Sequence, residues 1–321
     1  VTDLKKLECY KCKKLLAENL VLPKGLCVYC AADEADQLPQ PQKQLKISKK
    51  EENAQIKAEK ELALRILSRK RMLPFVEKFN PDYQAGWVHK DVCRRLEKFS
   101  QDVAEKKSPR LMLFMPPRHG KSTLASIAFP AWHLGRNPGH EFISCSYSGS
   151  LAMSFSRKVR QVLREPNYKN VFESTKLDKD SQSVESWQTT EGGGYVAAGV
   201  GGGITGKGAH VLLIDDPVKN REDAESENNR EATWDWYTST AYTRLSPGGG
   251  ILVILTRWHD DDLAGKLLTA EEDGADAWEV VKYPAIAEED EEFRASGEPL
   301  HPERYNLESL EMIQRAIGPR D

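Results

Sequence analysis

Gly120-Lys121-Ser122-Thr123 stands between an apolar run, Leu111 to Met115, and a helix-forming segment from Leu124 to Trp132. A buried strand, a tight turn and a helix that opens on Gly-Lys-Ser/Thr form the arrangement that cradles nucleotide phosphates. Backbone N–H groups at a helix N-terminus present positive potential to anions. In such a loop the lysine reaches the β- and γ-phosphates and the following hydroxyl holds Mg²⁺. Pro117, Arg118, His119, Gly120, Lys121, Ser122 and Thr123 are therefore the candidate phosphate-binding residues, with Ser122 a candidate Mg²⁺ ligand. Where the pattern expects glycine six residues before the lysine, this chain has Met115, and Pro116 and Pro117 stiffen the turn instead.

A second stretch, Val211-Leu212-Leu213-Ile214-Asp215-Asp216-Pro217, reads as a buried strand that delivers two carboxylates to its C-terminal end. Ligands of open α/β sheets sit at that edge. Asp215 is placed to hold Mg²⁺ through water, and Asp216 to orient and deprotonate an attacking water. A third apolar run, Ile251 to Leu255, ends in Thr256-Arg257-Trp258-His259. Thr256 is a candidate sensor of the γ-phosphate, and Arg244 and Arg257 are candidate arginine fingers. Asp260-Asp261-Asp262 suits a helix N-terminus, where acids are favoured. Upstream, Gln84 lies beside Phe79 and Tyr83 and is a candidate reader of an adenine edge. Together these motifs describe a nucleoside triphosphatase that uses ATP and Mg²⁺.

The elements that must position these groups follow from composition. Charged residues make up 30% and apolar residues 39% of the 321, and the net charge is −3. No global basic field advertises nucleic acid, so any DNA contact must come from a local patch. No apolar run approaches the ~18 residues of a membrane span, and the N-terminus lacks a signal-peptide core. An intracellular protein is expected. From about Ser48 to Leu73 the chain is rich in strong helix formers, with Leu62, Ile66 and Leu73 recurring on one face. Glu141 to Tyr147 reads as another strand, Leu151 to Arg164 as a helix, and Trp187–Thr190 with Tyr195–Ala198 as a hairpin. One helix is expected over Glu222 to Leu245 and a last strand over Trp278 to Tyr283. Gly199 to Gly208 is either a flexible loop or a close approach of backbone to ligand.

Cys9-x-x-Cys12 and Cys27-x-x-Cys30 are two pairs with fourteen residues between them. Two such knuckles complete a tetrahedral Cys₄ zinc site with no open position. The metal would then supply the folding energy of a small module. Nucleic acid and protein both remain open as its partner. The expected organisation is a zinc-ribbon-like module over 1–35, a linker and charged helix over 36–74, and a P-loop ATPase domain over 75–300. Residues 301–321 would begin a linker.

Met115-Pro-Pro-Arg-His-Gly-Lys-Ser-Thr123, Leu213-Ile-Asp-Asp-Pro217, Thr256-Arg-Trp-His-Asp-Asp-Asp-Leu-Ala-Gly265 and Gly297-Glu-Pro-Leu-His-Pro-Glu-Arg304 resemble the ATPase part of the large terminase subunit of tailed bacteriophages. The resemblance spans roughly residues 75 to 318. It implies an α/β P-loop core of the additional-strand type, a mostly parallel sheet flanked by helices. It also implies ATP-driven translocation of double-stranded DNA into a procapsid. The implied partners are a portal protein and a terminase small subunit, the setting the host cytoplasm, and the working form a homo-oligomeric ring on the portal. Thr256 falls on the family's coupling motif, Gln84 on its adenine-reading glutamine, and Arg118 on an arginine beside the phosphate loop. The family's nuclease domain is expected beyond this chain, and the zinc module departs from the usual pattern. Two rival readings are a helicase or remodelling ATPase of the same fold, and a zinc-dependent adaptor with a vestigial P-loop.

Overall fold

In the computed structural model, residues 6–8, 13, 15–17, 49–204 and 206–317 are described. The chain divides into two units, Val1–Ala58 and Glu59–Asp321. In the first, β1 (Lys6–Glu8) and β2 (Leu15–Ala17) pair antiparallel. Cys9, Cys12, Cys27 and Cys30 lie outside the described residues, and so does the expected zinc site. The helix α1 (Lys49–Lys70) spans the division between the units.

The second unit begins earlier and ends later than the expected 75–300. Trp132 Nε1 donates to the Ser68 carbonyl at 3.0 Å, tying the end of α1 to the core. The next helix, α2 (Met72–Phe79), buries Met72, Phe75 and Val76. At the other end, Leu300, His301 and Leu310 are buried rather than starting a free linker. The stripe expected along one helix is divided: Leu62 and Ile66 of α1 are exposed, and Leu73, which packs on the core, belongs to α2.

Beyond α3 (Trp87–Ala104), an eight-stranded sheet forms from β3 (Arg110–Phe114), β4 (Glu141–Ser146), β5 (Leu177–Gln182), β6 (Ser186–Thr189), β7 (Gly194–Gly199), β8 (Ala209–Asp215), β9 (Leu245–Leu255) and β10 (Glu279–Lys282). The strand order is β10-β3-β9-β8-β4-β7-β6-β5. The pairs from β10 to β7 are parallel, and β6 and β5 complete an antiparallel edge. Between β3, which leads into the loop of Pro116 to Ser122, and β8, which carries the acids, lies β9. This is the additional-strand arrangement.

The continuous apolar runs have a direct cause: both faces of the sheet are covered, so both sets of alternating side chains must be apolar. Leu111, Leu113, Leu213, Leu252 and Ile254 join one buried cluster with α2 and α3. Met112, Phe114, Leu212, Ile214, Ile251 and Val253 join the other with Trp236 and Leu263. The helix after the phosphate loop starts in a wide π turn, Thr123–Ala128, where Phe129 N–H reaches back to Leu124 O, and runs on as α4 (Phe129–Arg136). Ser148 caps α5 (Gly149–Arg164) by accepting from Leu151 N–H, and α6 (Pro166–Val171) follows. The single helix expected over 222–245 is broken. It forms α7 (Arg221–Glu225), α8 (Glu227–Trp236), a π turn (Tyr237–Ala241) and a 3₁₀ turn (Tyr242–Arg244). Ser226 accepts from Asn229 N–H and starts a new helix there. After β9 come α9 (Leu263–Glu272) and, past β10, α10 (Leu307–Ile317).

The edge strand β10 is fastened to α3 through Asp91, whose carboxylate accepts from Tyr283 Oη at 2.7 Å, Arg95 Nε at 2.8 Å and Arg94 Nη2 at 2.5 Å. Asp91 is buried and its three donors hold its carboxyl below the usual range against the opposing pull of desolvation. Removing the carboxylate leaves the buried Tyr283 hydroxyl without its acceptor, while Arg94 and Arg95 keep access to solvent. Asp91→Ala is expected to lower stability by about 2 kcal/mol, read by chemical denaturation with an unchanged denaturant slope.

Candidate active site

Because β3, β8 and β9 are parallel neighbours, their C-terminal ends arrive at one edge. Phe114 pairs with Leu255, and Asp215 with Ile254. Met115, Asp216 and Thr256 therefore come level just beyond the sheet. Lys121 reaches this edge from the loop that follows β3. Its Nζ donates to Asp216 Oδ1 at 2.7 Å and to Thr256 Oγ1 at 2.6 Å. Thr256 N–H donates to the same Asp216 oxygen at 2.9 Å, and Thr256 Oγ1 contacts the Met115 carbonyl at 3.3 Å. Lys121 is 6% exposed, so an ion pair compensates an otherwise costly buried ammonium.

A cleft of about 310 Å³ opens over this group. Pro117, Arg118, Gly120, Lys121, Ser122 and Thr123 form one wall, and Tyr147, Asp216, Val218, Lys219, Thr256 and Trp258 the other. Arg118 (φ +63°) and Asp216 (φ +45°) both have left-handed backbones. Non-glycine residues are uncommon there, and such residues gather at functional sites.

The two adjacent acids live in different surroundings. Asp215 is 1% exposed and Ser126 Oγ donates to its Oδ2 at 2.5 Å. Burial, and then the neighbouring Asp216 charge, push its carboxyl up from 3.8 to about 6, while hydrogen bonds from Ser126 and Ser122 oppose the rise. Its Oδ1 is buried without a partner. An orphan carboxylate oxygen beside a serine hydroxyl suits a hard divalent cation such as Mg²⁺. Among the described residues no cluster of three or more His, Cys, Asp or Glu has the arrangement of a metal site.

Several sequence candidates lie elsewhere. Gln84 is exposed and does not line the cleft. His119 is buried behind the loop, with its Nδ1 2.9 Å from the Pro117 carbonyl. Arg257 donates to Asp262 Oδ2 at 2.7 Å and to the Asp260 carbonyl at 3.0 Å, with its guanidinium over Phe114. It ties the strand end to the N-cap of α9, because Asp262 Oδ1 accepts from Gly265 N–H. Arg244 precedes the first residue of β9, at the opposite edge of the sheet. Leu245 pairs with Ala209, the first residue of β8, at the end of the sheet away from Thr256, and Arg244 does not line this cleft. Of the three arginines, Arg118 alone lines it. Sequence reading missed Ser126, Tyr147, Lys219 and Trp258. Lys219 had a signal, a cation three residues after the second acid.

The family described as "Terminase large subunit, T4likevirus-type, N-terminal" matches residues 112–318. The chain belongs to that family. Among solved structures, the terminase chain is similar to the HK97 bacteriophage large terminase, at 16% identity and a TM-score of 0.46, over 69% of this chain and 45% of that one. It is also similar to the large terminase of a thermophilic bacteriophage solved in complex with ADP, at 10% identity and a TM-score of 0.40, over 70% and 50%. The terminase chain thus spans about half the length of these structures. No curated protein matches it. No helix among its described residues is long and apolar enough to cross a membrane.

The raised Asp215 pKa has a stability consequence. The folded state keeps a proton that the unfolded chain releases between about pH 4 and 6, so stability falls as pH climbs through that window and is flat above it. Asp215→Asn is expected to raise stability in metal-free buffer by up to about 3 kcal/mol at pH 7.5 and by little at pH 4. MgCl₂ is expected to stabilise the wild-type protein and to leave the variant unchanged. Thermal melts at both pH values, with and without MgCl₂, check both statements.

Proposed function

We propose that this chain is the ATP-hydrolysing part of a viral packaging motor that drives double-stranded DNA into a procapsid. The observation that carries the reading is Lys121 shared between Asp216 and Thr256, in a chain of the large terminase family. Lys121 can pass from the Asp216 carboxylate to a phosphate. Asp216, relieved of its cation, then accepts the proton of an attacking water more readily. Thr256, bonded to both partners, registers the same exchange at the end of β9. Ser122 and Asp215 would hold Mg²⁺, which neutralises charge on the phosphate oxygens. Arg118 and Lys219 supply further positive charge at the rim of the cleft. The reading extends to a portal protein, a terminase small subunit and a ring of like subunits as partners in the host cytoplasm. A structural zinc at Cys9, Cys12, Cys27 and Cys30 completes it.

Asp216→Asn is expected to bind ATP normally and to lose at least about a hundredfold in turnover. Lys121→Ala is expected to lose both binding and hydrolysis. Hydrolysis unaffected by Lys121→Ala would leave the zinc-dependent adaptor as the better reading, and separation of a forked duplex would favour a helicase. Elemental analysis of purified protein should find about one zinc per chain, and none after Cys9 and Cys12 are replaced by serine.

A further inference from the structure

Behind the phosphate loop, four buried polar atoms of the described residues lack a hydrogen-bond partner: Tyr83 Oη, His119 Nε2 and both ring nitrogens of His301. Glu303 Oε2 approaches His301 Nε2 only to 3.6 Å. Buried polar groups are nearly always satisfied.

What is positioned there is the His119–Gly120 peptide. Gly86 N–H donates to His89 Nδ1 at 2.9 Å, which leaves the ring proton on Nε2. His89 Nε2–H then donates to the His119 carbonyl at 3.1 Å. Burial lowers the His89 pKa to about 4, so this neutral tautomer persists at working pH. In a planar trans peptide the carbonyl and the following N–H point to opposite sides. Anchoring the His119 carbonyl toward α3 therefore turns the Gly120 N–H away from it, on the residue that lines the cleft. Gly120 adopts φ +87°, and a Cβ there would meet Tyr83 Oη at 2.9 Å and His89 Nε2 at 3.3 Å.

A second layer holds the first. The His301 ring lies 4.6 Å from that of His89, and the Tyr305 ring 5.1 Å from that of His119. One turn presents both, because Arg304 and Tyr305 N–H groups donate to the His301 carbonyl at 3.1 and 2.9 Å. A Cβ on Gly86 would meet His301 Cδ2 at 3.1 Å, so little room remains between the layers.

We propose that His89, His301 and Tyr305 are positioning residues for the phosphate loop, fixing the His119–Gly120 peptide so that its N–H faces bound phosphate. The proposal rests on the nucleotide-binding reading above. It assigns a function to the segment after β10 that neither the phosphate motif nor the acidic motif contains.

Two measurements on the full chain test it. The first is titration calorimetry with Mg-ADP. His89→Leu is expected to weaken binding about tenfold, the loss of one well-placed hydrogen bond, and Tyr305→Ala several-fold. His89→Gln, whose amide can still donate to the His119 carbonyl, should recover most of the affinity. The second is hydrogen exchange without nucleotide. The peptide covering 116–122 should exchange faster in His89→Leu and Tyr305→Ala, while peptides covering β8 and β9 stay at wild-type rates. Wild-type exchange and wild-type ADP affinity in both variants would overturn the proposal. If the wild-type protein binds no ADP, the nucleotide reading fails and the exchange result alone decides the positioning claim. Should His89→Leu not fold, Tyr305→Ala and His89→Gln decide it, and a glutamine variant that binds ADP no better than Tyr305→Ala counts against it.

Discussion

A buried ammonium group governs this molecule. Lys121 Nζ sits among low-dielectric surroundings and cannot remain there without an anion close by. Asp216 supplies it at 2.7 Å and Thr256 adds a hydroxyl at 2.6 Å. Each of the three residues comes from a different part of the chain, so the contact exists only if β3, β9 and β8 stand side by side and in register. The parallel ladder provides this, since Phe114, Leu255, Ile254 and Asp215 are paired across three strands. The two apolar layers hold the ladder flat against its helices. A slip of one residue would part Asp216 and Thr256 from Lys121 and mismatch the side chains packed on both faces, so fold and site are specified together.

Much of this was legible in the residues. Apolar runs such as Leu111–Met115 and Val211–Ile214 announce strands buried on both faces, and their polar endings announce a site. The hairpin of β6 and β7 was legible because Gly192-Gly193-Gly194 separates two strand-like runs. Strand order was not, because parallel neighbours are joined by long crossovers and leave no local mark. The place of β9 between β3 and β8 came from the family resemblance alone. The edge strand β5, Leu-Asp-Lys-Asp-Ser-Gln, is too polar for its pattern to show.

The arginines illustrate why spacing alone misleads about roles. Arg257 follows Thr256 directly and reads as a catalytic finger, yet its partners are a carboxylate five residues on and two loop carbonyls. A guanidinium with that many acceptors serves as a brace. It holds the Thr256 end of β9 against the start of α9. The rear histidines were illegible for the complementary reason. His89 belongs to none of the phrases above, and His301 stands in one, Gly297 to Arg304, that names no role for it; separated by most of the unit, they acquire meaning only when the fold brings their rings to 4.6 Å.

The adjacent acids show how a single backbone departure makes two roles available. In a regular strand, neighbouring side chains point to opposite faces, so consecutive aspartates would not ordinarily serve one cleft. The left-handed backbone at Asp216 ends that alternation one residue past β8. Asp215 stays in the strand, buried against Ser126, with its carboxyl pushed up to about 6. Asp216 turns into the cleft and takes Lys121. Asp216 N–H still bonds to the Ile254 carbonyl at 2.8 Å and its own carbonyl accepts from Tyr147 N–H at 3.1 Å, so the departure is braced from both neighbouring strands. Aspartate is among the non-glycine residues that enter this conformation most readily, and here its carboxylate is held by two distant partners, Lys121 and the Thr256 N–H. That tolerance gives a physical reason for an aspartate at the residue where the strand's alternation ends.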